Sequence, residues 1–265
     1  MFSGTNFYYK SPSSDRALAY SKANKRSYRH DKLRMKLLTD DFGNRMAEDI
    51  TRADIRLWLD SKSQEWTPAT RNRYLALLKL TYRLAEEDGL IETNPTRVVK
   101  QSRENGRVRY LSDAEEERLR TAIQKSFPER LPEFEIALMT GLRQGEQFTR
   151  EWGDIDLDAG TIRLPQTKNG QCRFVQLNSR ALAALNMLHS RSIGHGRVFS
   201  NLVPRWFTDA VLQAQVEDFK WHDIRHTFAS RLVMAGVDIR TVQELMGHKS
   251  ITMTMRYAHL SPKHR

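Results

Sequence analysis

The sequence has few cysteines and no long apolar segment. Cys172 is the single cysteine among 265 residues, and one thiol cannot close an internal disulfide, which favours a reducing cytosol. No stretch of about 18 apolar residues is present, so we expect no transmembrane helix and no membrane partner. Residues 1–10 lack the apolar core of a secretion signal. These absences predict a cytoplasmic protein.

Acidic residues are scarce relative to basic ones. The 43 Lys and Arg outnumber the 32 Asp and Glu, which gives a net charge of +11. Residues 1–109 hold most of that excess, with 22 basic and 14 acidic residues, whereas residues 110–265 hold 21 and 18. Nucleic acid is the polyanion that such a chain is expected to bind, although a solvated basic surface that aids solubility is the alternative. The uneven distribution predicts one part that holds DNA and another that acts on it.

Helix signals dominate residues 12–98. Thr51 and Asp54 have the spacing of a capping box, and Thr67-Pro68 places an N-cap residue before a proline in the first turn. Apolar residues follow at helical spacing, and Asn94-Pro95 ends the pattern. We predict an all-helical domain of about four helices whose basic side chains follow a phosphate backbone. The candidate DNA contacts are Lys22, Lys25, Arg26, Arg29, Arg71, Arg73 and Lys79.

Residues 99–109 are polar and basic, which predicts an exposed linker. Residues 110–265 predict a second domain, mainly α-helical with a small antiparallel β-sheet. Ser112 and Glu115 form a capping box at its start. The runs 161–164 and 172–175 enclose Lys168-Asn169-Gly170, which is a hairpin signal. Helices are expected again from about residue 178, and the last helix is expected to carry Tyr257.

Residues 140–146 read Thr-Gly-Leu-Arg-Gln-Gly-Glu and place Arg143 after a helix end. A guanidinium can neutralise two phosphate oxygens in a bidentate geometry. Glu146, three residues later, could pair with this arginine or with the neighbouring backbone and hold it in place. An ordinary ion-paired arginine at the surface is the alternative for Arg143 taken alone.

His222, Arg225 and His226 lie within one predicted helix. The spacing of three places His222 and Arg225 on one face, where an imidazole and a guanidinium could bind an anion and move a proton. In the alternative interpretations, His226 is a buried histidine with one structural hydrogen bond, and His222 only caps the helix. A zinc pair is disfavoured, because Asp223 stands where the metalloprotease motif has Glu and no third ligand is evident. We predict no metal and no other cofactor.

Tyr257 and Lys168 complete the set of candidate reactive groups. A phenol has a pKa of about 10, so the phenolate costs roughly 4 kcal/mol at pH 7. Preorganised donors on phosphate oxygens contribute about 3–4 kcal/mol each, and holding the nucleophile beside phosphorus contributes about 7–11 kcal/mol. These contributions suffice for attack by Tyr257, with Lys168 as a mobile general acid. The alternatives are a packed core aromatic for Tyr257 and a solvated turn residue for Lys168.

Four motifs in this order resemble the tyrosine recombinase (phage integrase) family, in its Xer-like and phage-integrase-like forms. They span residues 140–146, 167–170, 222–229 and 246–259. The resemblance extends from about residue 12 to the C-terminus. It implies a helical core-binding (SAM-like) domain over residues 12–98, a linker over 99–109 and an α+β catalytic domain over 110–265. A separate arm-binding domain is not expected in this sequence; the alternative is that the chain is a fragment.

The resemblance also implies a role for each motif. The implied catalytic residues are Arg143, Lys168, His222, Arg225, His248 and Tyr257, with Glu146 and His226 in support. The two arginines and His248 would stabilise a phosphorane-like transition state, while Lys168 would protonate the leaving 5′ oxygen. His222 would assist proton transfer from Tyr257, which would form a 3′-phosphotyrosyl bond. A freed 5′-hydroxyl of a partner strand then reverses the step.

The implied activity is site-specific DNA recombination (integration, excision or resolution) without metal or ATP. Four protomers would act on two duplexes at a recombination site, with an accessory DNA-bending or directionality protein as a further partner. The expected setting is the bacterial cytosol, with a phage or another mobile element as the source. Eight residues follow Tyr257, fewer than in relatives that dock a longer C-terminal segment on a neighbour. A non-catalytic DNA-binding protein with this fold and a topoisomerase-like enzyme are the alternatives.

Overall fold

The computed structural model describes residues 12–104, 106–165, 172–199 and 205–262. The chain forms two compact units, which divide between residues 105 and 106. Each unit has its own hydrophobic core. The architecture is mainly α-helical with a small antiparallel sheet in the second unit, as the sequence predicts. Within the described residues, no helix has both the length and the apolar character that a membrane span requires.

The described part of the first unit packs four helices around one core. They are α1 (Pro12–Asn24), α2 (Tyr28–Phe42), α3 (Arg52–Ser61) and α4 (Pro68–Glu87). Both predicted helix starts are present, since the hydroxyls of Thr51 and Thr67 each accept a backbone N–H of the first turn at 3.2 Å. Helix α4 contributes Tyr82 to the core, and its hydroxyl donates to Ala47 O at 3.1 Å.

The segment predicted as an exposed linker, residues 99–109, is anchored where it begins. Val99 is buried in the core of the first unit. The side chain of Asn72 on α4 donates to Ser102 O at 2.8 Å and accepts from Ser102 N at 2.8 Å. The first unit therefore continues past residue 98 in the structure, and the assignment of functional domains to these ranges stays a prediction.

The second unit contains the remaining described helices. They are α5 (Asp113–Ser126), α6 (Leu131–Thr140), α7 (Gln144–Phe148), α8 (Ser179–His189), α9 (Trp206–Gln213), α10 (Trp221–Met234), α11 (Ile239–Met246) and α12 (Ile251–Met255). The predicted capping box of Ser112 opens α5. Helix α6 is apolar on most sides, and it buries Phe134, Ile136 and Leu138. Since α6 packs against both α8 and α10, it forms the centre of this unit.

Three short antiparallel strands form a sheet in the order β1-β2-β3. They are β1 (Ile155–Asp156), β2 (Thr161–Leu164) and β3 (Arg173–Gln176). Ile162 pairs with Val175, and both side chains are buried, whereas Phe174 is 62% exposed. This alternation has the period of two that a strand imposes. The predicted strand pair is confirmed, with β3 one residue later than expected, and Lys168 lies outside the described residues.

Helices α10 and α11 and the chain after them enclose a small separate core. Its buried members are Ala229, Val233, Val242, Met246 and Tyr257. The sequence-based expectation that Tyr257 lies on the last helix is wrong. Helix α12 ends at Met255, and Tyr257 lies in the turn before a short 3-10 helix, Ala258–Leu260. From this turn the tyrosine ring is buried in the small core.

Candidate active site

Arg143 lies where the chain leaves α6. Gly141 ends that helix with a φ of +60°, a left-handed conformation that glycine adopts without strain. A side chain here would also collide with Phe228, since an added Cβ would lie 2.4 Å from the Cδ1 atom of its ring. Arg143 then adopts extended dihedral angles as the N-cap residue of α7. The turn thus fixes the backbone from which its guanidinium extends.

Glu146 holds Arg143 through two hydrogen bonds. Its carboxylate accepts from Arg143 N at 3.0 Å and from Arg143 Nη1 at 2.6 Å. Burial alone would raise the pKa of this carboxyl, but the hydrogen bonds and charge of Arg143, together with the charge of Arg173, keep that pKa below its ordinary value. The predicted pairing of Arg143 with Glu146 is confirmed. The Arg143 side chain is still 36% exposed, so a ligand can reach it.

Arg225 projects from α10 and is only 4% exposed. Its Nη1 donates to Gly141 O at 2.5 Å, and its Nη2 donates to Met246 O. Burial, and then repulsion from Arg143, lowers the pKa of the guanidinium to about 10, so the group is still charged at pH 7. The two carbonyls fix its orientation, which is what recognition of an anion requires.

The two arginines meet at the C-terminal end of α11. Arg143 Nη2 donates to Gly247 O at 3.1 Å, next to the Met246 carbonyl that Arg225 binds. Gly247 has a φ of +60° and turns the chain into His248. Two guanidinium groups and an imidazole, from three separate parts of the sequence, thus converge on one turn.

His248 is oriented by α12. Its Nδ1 lies 2.9 Å from Oγ1 of Thr254, a buried residue of that helix. Burial and the charges of Arg225 and Arg143 lower the pKa of His248 to about 4. The imidazole is therefore neutral at pH 7 and can serve as a hydrogen-bonding group beside the arginines.

Tyr257 is 1% exposed. Its Oη lies 2.5 Å from Nδ1 of His226. Burial raises the pKa of the phenol, and the nearby charges of Arg256 and Arg225 oppose that rise only in part. The phenol is thus neutral at pH 7. Its burial agrees with the alternative of a packed core aromatic. The imidazole at hydrogen-bond distance from its hydroxyl distinguishes Tyr257 from a purely structural tyrosine.

His222 and His226 occupy different environments on α10. His226 is 8% exposed, and burial followed by the neighbouring His222 and Arg256 lowers its pKa to about 4. His222 is exposed, and its ring meets the His226 ring edge-on at 5.2 Å between centroids. The interpretation of His222 as a helix cap is wrong, because Asp223 accepts the hydrogen bond from Lys220 N that caps α10. The imidazole at hydrogen-bond distance from Tyr257 is therefore that of His226, and the role expected for His222 stays a prediction.

Sequence reasoning missed Arg173, a third arginine at this site. It lies on β3, donates to Leu245 O at 2.9 Å and contacts Glu146 at 3.4 Å. The alternation of inward and outward side chains along β3 could have indicated this arginine. Arg173 shares the inward face with buried Val175, and a charge on the inward face of a strand needs a partner. No group of three or more His, Cys, Asp or Glu side chains that could hold a metal is present in the part of the chain that the structure describes.

The predicted DNA contacts all belong to the first unit and divide into two groups. Lys25 and Arg73 line one polar cleft of about 540 Å³, together with His30 and Arg34, which sequence reasoning missed. The other predicted side chains do not line this cleft; they are Lys22, Arg26, Arg29, Arg71 and Lys79. The structure therefore brings together only part of the predicted set, and its contact with DNA stays a prediction.

Asp31 organises the basic side chains of that cleft. Its carboxylate is almost fully buried and accepts from Ser21 Oγ at 3.1 Å, Lys25 Nζ at 3.0 Å and Arg34 Nη1 at 3.0 Å. A buried carboxylate needs such partners. It also fixes two cations beside the cleft, at the turn between α1 and α2.

Most of the second unit matches a known protein family. The model of the phage integrase family matches residues 109–264. The chain is 34% identical over 231 residues to the shufflon-specific DNA recombinase of Escherichia coli. That similarity covers 82% of this chain but only 59% of the recombinase, so the chain spans less than two thirds of that relative's length.

Solved structures share the fold of this chain. An integrase of the Tn1549 transposon in complex with circular intermediate DNA matches with a TM-score of 0.81 at 21% identity, over 97% of both chains. A lambda integrase tetramer bound to a Holliday junction matches with a TM-score of 0.77 at 23% identity, over 92% of this chain and 76% of that one. At these identities the similarity establishes the fold alone.

Proposed function

Because the chain belongs to the phage integrase family of tyrosine recombinases, we propose that it is a site-specific recombinase that cuts and rejoins DNA through Tyr257. One observation carries the proposal. Arg143 and Arg225 bind two adjacent carbonyls at the end of α11, immediately before His248. Three groups suited to a phosphate are thereby held at one turn, close to a tyrosine whose hydroxyl has an imidazole partner.

In the proposed reaction, Tyr257 Oη forms a bond to phosphorus and the bond from phosphorus to the 5′ oxygen breaks. The two arginines and His248 stabilise the charge on the non-bridging oxygens, as preorganised donors do in oxyanion sites. Lys168 gives a proton to the leaving 5′ oxygen. The phosphotyrosyl bond keeps the energy of the phosphodiester, so a 5′-hydroxyl can reverse the step without ATP.

The phenol proton needs an acceptor, and the geometry favours His226. Its Nδ1 lies 2.5 Å from Tyr257 Oη, and its lowered pKa of about 4 keeps the ring neutral at pH 7, so an unprotonated ring nitrogen is available to the phenol. The exposed His222 packs edge-on against that ring and is the proposed link from it to solvent. We therefore assign His226 the first proton transfer and His222 a later one.

Tyr257 must move before it can attack. At 1% exposure its hydroxyl cannot contact a phosphate in solution. Helix α12 is only five residues long, and it exposes Ile251, Met253 and Met255 to solvent. Four of its five residues are exposed, so we propose that DNA binding shifts α12 and brings Tyr257 to the two arginines.

The proposed partner is a double-stranded recombination site, held by the first unit and cut by the second. The net charge of +11 supports a polyanionic partner. Four protomers on two duplexes are proposed because the lambda integrase of the same fold forms a tetramer on a Holliday junction. Integration of a viral genome or another mobile element, aided by an accessory DNA-bending protein, is the proposed context. The proposed setting is the bacterial cytosol.

A nicked suicide duplex tests the function. Duplexes tiled across the DNA that flanks the gene are incubated with the protein and EDTA, and a covalent adduct is expected on the one that carries the site. Tyr257→Phe should form no adduct. Tyr82→Phe is the matched control, because Tyr82 is also 1% exposed but donates to a backbone carbonyl of the first unit. An adduct with Tyr257→Phe, or none with any duplex and the unaltered protein, contradicts the proposal.

A further inference from the structure

Three arginines from three elements bind three consecutive carbonyls at the end of α11. Arg173 on β3 donates to Leu245 O at 2.9 Å. Arg225 on α10 donates to Met246 O, and Arg143 before α7 donates to Gly247 O at 3.1 Å. The last carbonyls of a helix lack partners within the helix, and the negative end of its dipole attracts cations. The three arginines therefore bind the carbonyls that the end of α11 leaves without helical partners.

The three guanidinium groups repel one another. Burial has the largest effect on the lowered pKa of Arg225, and the charges of Arg143 and Arg173 lower that pKa further. Glu146 offsets part of this repulsion, since its carboxylate bonds to Arg143 at 2.6 Å and contacts Arg173 at 3.4 Å. Such an arrangement is costly for stability alone, which indicates that the position of these groups matters for another reason.

Arg173 packs directly on the turn that leads into His248. An added Cβ at Gly247 would lie 2.3 Å from Arg173 Nη1, so the guanidinium covers the glycine backbone. The Arg173 side chain is only 26% exposed. It thus ties β3 to the end of α11, through one donor on a helix carbonyl and one on the carboxylate that holds Arg143.

We propose that Arg173 is a positioning residue, which fixes the α11 terminus and Glu146 so that His248 and Arg143 face the same phosphate. The structural part of this inference holds for the free protein. Its catalytic consequence rests on the proposed function. Arginine is required because its planar fork reaches both partners, whereas a lysine offers one point charge.

Hydrogen exchange of the free protein tests the structural part without any DNA. The amides of Gly247 and His248 bond to Glu244 O at 2.9 Å and Gln243 O at 3.0 Å, so they report on the last turn of α11. Arg173→Met should speed their exchange by about tenfold, the change expected when a charge-assisted hydrogen bond is lost. The control is Arg163→Met on β2, whose side chain is 52% exposed and pairs with Asp154. Unchanged exchange in Arg173→Met overturns the proposal, whatever the activity.

Single-turnover cleavage at saturating DNA tests the catalytic part. Arg173→Met should slow cleavage by about 100-fold, as a misplacement near 1 Å does. Its Kd for DNA should equal that of Arg163→Met. Arg173→Lys should not restore the rate. Full rescue by lysine would mean that charge alone matters and would overturn the positioning role. Failure of the unaltered protein to cleave refutes the proposed function but leaves the exchange result standing.

Discussion

Among the described residues, each unit has a tyrosine that is buried to the same extent, but the groups around its hydroxyl differ. Tyr82 in the first unit and Tyr257 in the second are both 1% exposed. Tyr82 donates to the Ala47 carbonyl inside an apolar core. Tyr257 meets His226, whose pKa is lowered to about 4 by burial and by neighbouring charges. Burial alone does not separate a structural tyrosine from a candidate nucleophile, whereas the groups around the hydroxyl do.

The buried charged side chains of the two units also differ in the groups that surround them. In the first unit the buried Asp31 is paired with Lys25 and Arg34, both at 3.0 Å. In the second unit burial, and then the charges of Arg143 and Arg173, lower the pKa of Arg225, and Glu146 offsets this only in part. A stable core pairs opposite charges, and a cluster of like charges points to a ligand that supplies the missing sign. For the second unit, the phosphate of DNA is that ligand in our proposal.

The strongest test of this contrast is removal of Arg225. Arg225→Met should reduce the rate of DNA cleavage by about 10²- to 10³-fold, the usual cost of one lost donor in such a site. The matched control is Arg120→Met in the same unit, since Arg120 is paired with Glu116 and with Glu135 at 2.9 Å. Both variants should lose about 1–3 kcal/mol of unfolding free energy. Equal cleavage rates in the two variants would show that the like-charge cluster has no special role.

The next test compares two glycines that follow helices. Gly247 has a φ of +60° and lies against Arg173, whereas Gly236 has a φ of +84° and has open space where a Cβ would be placed. Gly236→Ala should cost about 1–2 kcal/mol from the left-handed backbone alone. Gly247→Ala should cost about 1–3 kcal/mol more, because the Arg173 guanidinium must move and its hydrogen bond to Leu245 O is lost. Urea unfolding measures both variants, and equal midpoints would argue against close packing of Arg173 on this turn.

The histidines of the second unit make its stability depend on pH. His226 and His248 have pKa values of about 4 in the folded state, below the value of about 6.5 in an unfolded chain. The unfolded state therefore binds protons first as pH falls, so stability is full above about pH 6.5 and is lost progressively toward pH 4. Allowing for solvent screening, we expect His226 to account for about 1 kcal/mol of the loss between pH 7 and pH 5.

Urea unfolding of His226→Gln at both pH values measures this contribution. The variant should be less sensitive to the change in pH than the unaltered protein, because glutamine does not titrate. His30→Gln is the control in the first unit, since His30 is exposed on α2. An equal pH dependence in His226→Gln and the unaltered protein would contradict the neutral state assigned to the buried imidazole.

Sequence patterns predicted the features whose cause lies within a few residues. The caps at Thr51 and Ser112 and the pair Arg143–Glu146 each depend on residues three apart, so the spacing itself specifies the contact. The cap at Thr67 was indicated by the proline that follows it. The mainly helical architecture and the strand pair followed from apolar periodicity in the same way.

Contacts between distant segments could not be predicted in that way. Tyr257 and His226 are 31 residues apart, and Arg173 and Leu245 are 72 residues apart. Both contacts depend on how α10, β3 and the end of α11 pack, which local propensity does not determine. The expected partner of Tyr257 was His222 for this reason. Helical spacing shows which residues share a face, but not which of them faces a segment from elsewhere.

The smallest expected effect concerns the first unit, and it separates binding from chemistry. Arg73 and Arg83 both lie on α4. Arg73 lines the polar cleft, whereas Arg83 is paired with Glu87 at 2.5 Å. If the cleft holds a phosphate, Arg73→Met should lower affinity for all DNA sequences alike and reduce the salt dependence of log K by about one unit, since one counterion fewer is released. Arg83→Met should change neither quantity.

Cleavage at saturating DNA completes the comparison of the units. Arg73→Met should cleave at the rate of the unaltered protein once DNA is in excess, because the residue contributes to binding and not to the transition state. Arg225→Met should stay slow at any DNA concentration. A slower saturating rate in Arg73→Met would mean that the first unit also positions the reacting phosphate. The division between a unit that holds DNA and a unit that cuts it would then have to be abandoned.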